Sequence, residues 1–318
     1  MVEFEMMREI LARRRTIFSL FHTAVLACGF GCMDLASAQP QDLYPSKPIR
    51  VVVPYPPGGS TDIAARLVFQ RVAEIIKQPV FIDNKSGGGG NIGALEVARS
   101  APDGYTLLVA TTQHAINMTL ITNMRYDVRK SFAPISPISE GPLLLVTGNS
   151  QPFRNVKDVI EAAKSGKVTF ATAGNGGSVH LAGELFNRMA NVKMVPIPFR
   201  GSMPALTDVM SGEVTVMIDS MLSSMPFVTS GKLKALAITS PTRSKLLPSV
   251  PTVAESGMPG YEVTAWNGVL APAGTPPPIV ARLNSALTVV LQSAEVKERF
   301  KTLGSYRNQT LLMDSEYF

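Results

Sequence analysis

Along residues 49–291 the apolar positions follow two rhythms in turn, short runs of strand length and stripes spaced for a helix. Ile49–Pro54 reads as a buried strand, after which Ile63, Ala64, Leu67, Val68, Val72, Ile75 and Ile76 recur at helical spacing. Pro79–Asn84 is a second strand and Asn91 to about Ser100 a second helix. The Pro102-Asp103-Gly104 turn then leads into a third strand, Tyr105–Ala110, with a short helix over Ala115–Ile121. Strands alternating with helices in this way predict a parallel sheet with right-handed crossovers.

Phe132–Thr147 is extended and punctuated by Pro134, Pro137 and Pro142, and it reads as a crossing into a second α/β series. That series comprises a helix over Val156–Lys164, a strand over Val168–Thr172, and a helix with Leu181, Ala182, Leu185, Phe186 and Met189 on one face. A strand over Met194–Pro198 follows, then a helix marked by Ala205, Leu206, Val209 and Met210 that stops at Gly212, and strands over Val214–Ile218 and Leu233–Thr239. Tyr261–Leu270 is the return crossing, and Pro276–Leu291 a helix with proline suited to its first turn. The expected architecture is α/β, with two lobes joined by two extended crossings and a cleft between them. Lobe I takes residues 39–139 plus 266–318, and lobe II takes 140–265.

The same junction occurs once in each lobe. In Ile49–Arg66 and again in Val168–Leu185 a strand runs through a glycine turn into a helix start. Free backbone N–H groups at such helix ends can hold a carboxylate or phosphate, so two of them suggest a pinch on an anion.

Composition narrows the choice of function. The chain has 318 residues, 45% of them hydrophobic and 17% charged, enough to bury two sizeable cores. Its net charge of +6 is spread along the chain with no run of five basic residues, which argues against nucleic acid as a partner while favouring anionic ligands. Residues 1–38 read as a signal peptide: Arg13-Arg14-Arg15, an apolar stretch to Leu35, and Ala36-Ser37-Ala38 as a small-x-small cleavage site. A membrane anchor is the alternative for this stretch, and export by the Sec or the twin-arginine route stays open. Both cysteines, Cys28 and Cys32, and one of the three histidines, His22, lie inside it. The remainder therefore has no disulfide or zinc-thiolate site and few groups for His-dependent catalysis. Gly87–Gly90 lacks the Gly-Lys-Ser/Thr ending of a nucleotide loop, so no cofactor is expected.

Several motifs together resemble one family. They are Tyr44–Ile49, Pro54–Asp62, the glycine cluster of Asn84–Gly93, Pro102–Leu107, Thr172–Phe186, Pro198–Leu206, Asp219 after its strand, and Ala271–Pro276. In this order and spacing the chain resembles the Bug family of periplasmic solute-binding proteins, the receptors of tripartite tricarboxylate transporters. The resemblance covers nearly all of residues 44–303, whereas Ser305–Phe318 departs from it. It implies a type II periplasmic binding protein (a Venus flytrap) that captures a small carboxylated solute and delivers it to membrane permease subunits. It also implies a monomer with no enzymatic activity, whose ligand carboxylate is held largely by main-chain groups and waters.

The residues expected to bind follow from the two junctions. In lobe I they are Tyr55, Gly58, Gly59, Ser60, Thr61 and Asp62, with Gln113, His114 and Asn117 as the cleft floor. In lobe II they are Ala173, Gly174, Asn175, Gly176, Gly177, Ser178 and His180, together with Asp219. Asp62 is either a cap that shapes its loop or a partner for a ligand amine, and Asp219 either meets an amine or hydroxyl of the solute or caps the next helix. Arg200 either draws in an anion or is an ordinary surface cation. Trp266 is expected to pack at the hinge. Dicarboxylates, acidic amino acids and aromatic acids all fit such a grip. A sensory role beside a membrane kinase, or an enzyme built on Asp62, His180 and Asp219, are the competing readings.

Overall fold

The computed structural model describes residues 44–305. The export signal read over residues 1–38 lies outside the described residues, as does the chain beyond Ser305.

In lobe I the strands β1 (Ile49–Val53), β2 (Val80–Asn84) and β3 (Thr106–Thr111) pair in parallel in the order β2-β1-β3. Helices α1 (Ser60–Ile76) and α2 (Asn91–Ala98) make the crossovers, and α3 (Thr112–Leu120) follows β3. Lobe II repeats the plan. Strands β5 (Thr169–Thr172), β6 (Val195–Pro198) and β7 (Val216–Ser220) are parallel in the order β6-β5-β7, connected by α5 (Ser178–Ala190) and α6 (Ser202–Ser211). Helix α4 (Val156–Lys164) precedes β5, and β8 (Leu233–Ile238) pairs with the last residues, Leu144–Gly148, of the crossing strand β4 (Phe132–Gly148).

Two long strands join the halves. β4 (Phe132–Gly148) runs 17 residues, pairing antiparallel with β9 (Thr264–Pro272) as far as Pro142 and with β7 and β8 from Leu143 onward. A single hydrogen-bonded ladder therefore curls through both lobes. Two register shifts, around Ser136 and Ser139, bend the shared segment, as bulges do.

Each lobe closes its own apolar core. Val52, Ala94, Val97, Leu108 and Phe132 pack together in lobe I, and Leu143–Val146, Phe170, Phe186, Leu206, Met217 and Tyr261 do so in lobe II. Each fully buried Leu, Ile or Phe contributes about 1.5–3 kcal/mol. The helix stripes differ in detail from the sequence reading. In α1 the buried line is Ala64, Ala65, Val68, Phe69, Val72 and Ile76, while Ile63 and Leu67 are half-buried and Ile75 exposed. Leu181 is likewise on the outside of α5. Two helices escape the periodicity: α7 (Met221–Thr229), whose first five residues are all buried and so show no stripe, and α9 (Ala294–Thr302), which buries only Val296 and Phe300. α9 follows α8 (Pro277–Gln292).

Candidate functional site

The two glycine junctions share one construction. Gly58 at φ 83° and Gly176 at φ 73° take the left-handed turn that favours glycine. The next residues, Gly59 (φ −76°, ψ 169°) and Gly177 (φ −80°, ψ 173°), are the N-caps of α1 and α5, and neither helix end is capped by a side chain. The helical ladders begin at Ile63 N–H to Gly59 O (3.0 Å) and Leu181 N–H to Gly177 O (2.8 Å). In each junction the residue four beyond the first glycine reaches back. Asp62 Oδ2 accepts from Gly58 N–H and His180 Nδ1 accepts from Gly176 N–H, both at 2.9 Å. The loops are thus braced by their own side chains. The first-turn N–H groups of Ser60 and Thr61, and of Ser178 and Val179, have no helical acceptor.

These ends face one small cavity of about 80 Å³. Lobe I contributes Tyr55, Gly59, Ser60, Thr61 and Gln113 to its wall, and lobe II contributes Ala173, Gly174, Gly177 and Ser178. The lobes touch around it. A Cβ on Gly177 would sit 2.2 Å from Gln113 Oε1, one on Gly58 2.8 Å from Met203, and one on Gly176 2.9 Å from Leu120. No lining residue is Asp, Glu, Lys, Arg or His. Tyr55, which hydrogen-bonds Thr111 Oγ1 at 2.9 Å, has its pKa driven upward by burial and stays neutral. An anion here would be held by backbone dipoles rather than by a countercharge. The wall holds no acid–base pair for catalysis. Among the described residues no cluster of three or more His, Cys, Asp or Glu is placed to hold a metal.

Several residues expected on the wall stand behind it. Asp62 shapes its loop: besides Gly58 it accepts from Arg66 Nε at 2.9 Å and from Asn84 Nδ2 at 3.0 Å. Burial pushes its pKa up, but these three donors outweigh that and hold it below the usual range. His114 is wholly buried, with Nδ1 accepting from Thr111 N–H at 3.0 Å at the start of α3. Asn117 is tied to Asn91 Oδ1 (2.9 Å) and carries Gln113 Nε2 on its own Oδ1 (2.7 Å). His180 packs on Phe170 and faces its loop, Asn175 is exposed at the loop tip, and Gly58 and Gly176 turn the chain without lining the cavity. Asp219 is fully buried, accepting from Ser202 Oγ at 2.8 Å and Ser223 Oγ at 2.6 Å.

The wall also contains residues that sequence reasoning did not assign to it. Ser202 and Ser220 come from α6 and the end of β7, and Trp266 and Asn267 from β9. Trp266 both packs against the lobe I core and lines the cavity. A larger recess of about 680 Å³, bounded by Pro142, Lys245, Leu291 and Phe300, shares no residue with this cavity.

Comparison with known proteins places this geometry in context. Residues 64–307 match the model of the tripartite tricarboxylate transporter family receptor. Protein BugT of Bordetella pertussis is 37% identical over 286 residues, covering 89% of this chain and 88% of its own. Two solved structures are also similar. R. palustris Rpa4515 with adipate is 36% identical with a TM-score of 0.80, covering 83% of this chain and 89% of that one. MatC from Rhodopseudomonas palustris with bound malate is 36% identical with a TM-score of 0.80, covering 84% and 93%.

Proposed function

We propose that this chain, which belongs to the tripartite tricarboxylate transporter receptor family, is an extracytoplasmic receptor that closes its two lobes on a small carboxylate. The observation that carries this reading is the pair of uncapped helix starts, at Gly59–Thr61 and Gly177–Val179, on one cavity without charged side chains. Such a cavity accepts one negative charge by dipole and hydrogen bond, and it closes only on a ligand that touches both ends. The relatives from R. palustris hold adipate and malate, both small carboxylates. The chain acts by capture without chemistry, as a monomer, and passes its solute to membrane permease subunits of a tripartite tricarboxylate transporter. The lobes divide near residues 139/140 and 265/266, a division supported by the exchange of β4 partners between Pro142 and Leu143.

Titration calorimetry against a panel of sodium carboxylates tests the reading. The wild type should bind at least one with micromolar or tighter affinity. Gly59→Asp should weaken that binding at least tenfold while leaving thermal unfolding within a few degrees. A Cβ at Gly59 meets nothing closer than Pro56 O at 3.9 Å, and an aspartate cap would occupy the N–H groups with its own carboxylate. Unweakened binding by Gly59→Asp removes the carboxylate from this helix end.

A further inference from the structure

Gln113, the second residue of α3, lines the cavity, and its side-chain amide has a single orientation. Its Nε2 donates to Asn117 Oδ1 at 2.7 Å. Asn117 Nδ2 donates in turn to Asn91 Oδ1 at 2.9 Å and to Gly89 O at 3.3 Å, and Asn91 Nδ2 donates to Gly88 O at 2.7 Å. The Tyr126 hydroxyl donates to the same Asn91 oxygen at 2.6 Å. The carbonyls of Gly88 and Gly89 can only accept, so they fix the direction of every bond in this relay. Turning any one amide over would set oxygen against oxygen. The free end of the relay is therefore Gln113 Oε1, an acceptor. The residue is 8% exposed, and Oε1 takes no hydrogen bond from the described chain. It lies 2.2 Å from where a Cβ on Gly177 would be, beside the N-cap of α5. A fixed acceptor of lobe I thus adjoins the free N–H donors that open the lobe II helix.

We infer that Gln113 is a specificity-determining residue: its Oε1 accepts a hydrogen bond from a hydroxyl on the carbon next to the bound carboxylate, so that the receptor selects 2-hydroxy acids over the same acids without the hydroxyl. The helix starts cannot make this distinction, because they meet the carboxylate that both acids carry. A buried acceptor left unpaired is costly, so the acid lacking the hydroxyl is penalised rather than merely unassisted. The relay is what makes the choice one-sided, since an amide free to turn would offer Nε2 instead. Asp219, the residue expected from the sequence to meet such a hydroxyl, is spent on Ser202 and Ser223. The inference rests on the carboxylate site proposed above and adds to it a choice among acids.

The test is calorimetry with straight-chain mono- and dicarboxylic acids of four to six carbons, each beside its 2-hydroxy counterpart. In the wild type the best-bound 2-hydroxy acid should bind at least tenfold more tightly than its unsubstituted partner. Gln113→Leu should bring that ratio to within about twofold. The ratio compares two ligands on one protein, so any general weakening cancels. Should Gln113→Leu fail to fold, the wild type still decides. The ¹³C resonance of the Gln113 side-chain carbonyl should move downfield with the 2-hydroxy acid and not with its partner. Acids that bind alike with and without the hydroxyl, a ratio that survives Gln113→Leu, or a carbonyl resonance that responds to both acids equally would overturn the role of Gln113 and leave the carboxylate site standing. Failure of every acid to bind would instead refute the carboxylate site.

Discussion

At the scale of single residues, the groups most telling about the cavity are those just behind it. Asp219 is fully buried, and burial raises its pKa to about 6 despite the bonds from Ser223 and Ser202. A carboxyl with a raised folded pKa holds its proton more tightly in the native state. Its favourable contribution is complete in acid and is lost as pH rises from about 4 through 6. His114 works in the opposite sense. Burial lowers its pKa to about 4, so its contribution is complete near neutrality and is lost as pH falls from about 6.5 through 4. The two effects oppose each other in one window, and wild-type stability should vary little there on their account. Asp219→Asn keeps one acceptor oxygen and leaves His114 unopposed. Its stability relative to wild type should fall by on the order of 2 kcal/mol between about pH 6.5 and 4.5, as measured by urea unfolding. Parallel profiles for the two proteins would show that Asp219 does not titrate in this range.

The same residues show why the sequence marks them as ligands. A polar side chain just after a glycine turn looks the same whether it meets a solute or its own backbone. Asp62 and His180 take the second course, each accepting an N–H from the glycine four residues before it.

At the scale of elements, the helix starts differ according to whether their ends are occupied. α7 begins on Ser220, whose hydroxyl accepts from Leu222 N–H, and α3 begins where His114 takes the Thr111 N–H. α1 and α5 begin on bare glycines. At α5 the glycine has a steric role as well, because Gln113 lies where a side chain would go. Gly177→Ala, at φ −80°, is without backbone strain, so it should unfold like wild type yet bind carboxylate at least fivefold more weakly by holding the lobes apart. Adding Gln113→Ala should recover most of the loss, and a double variant no better than the single one would show that Gly177 matters for some other reason.

Both junctions were legible because each is local, a strand, a glycine turn and a helix within about 18 residues. The crossings were legible from their prolines. Trp266 and Asn267 were not assigned to the wall because they arrive by long-range pairing: Asn267 stands opposite Thr111 in the β3–β9 ladder, a register that no local pattern encodes. α7 stayed hidden because its first five residues are all buried, which erases the stripe that a half-exposed helix shows.

At the scale of the whole molecule, two similar α/β halves are strung on β4 and β9, and the connection bends at Ser136 and Ser139. Across the cleft Gly177 meets Gln113, Gly58 meets Met203 and Gly201 meets Pro56. A solute that met only one half would bind open and closed forms alike and would shift nothing between them. The account therefore stands on a single carboxylate meeting both helix starts at once. Amide NMR of the ¹⁵N-labelled protein, titrated with the tightest carboxylate from the calorimetric panel, tests this most directly. The N–H resonances of Ser60, Thr61, Ser178 and Val179 should move downfield together and saturate at one equivalent. Saturable binding that leaves either pair unmoved would contradict the account.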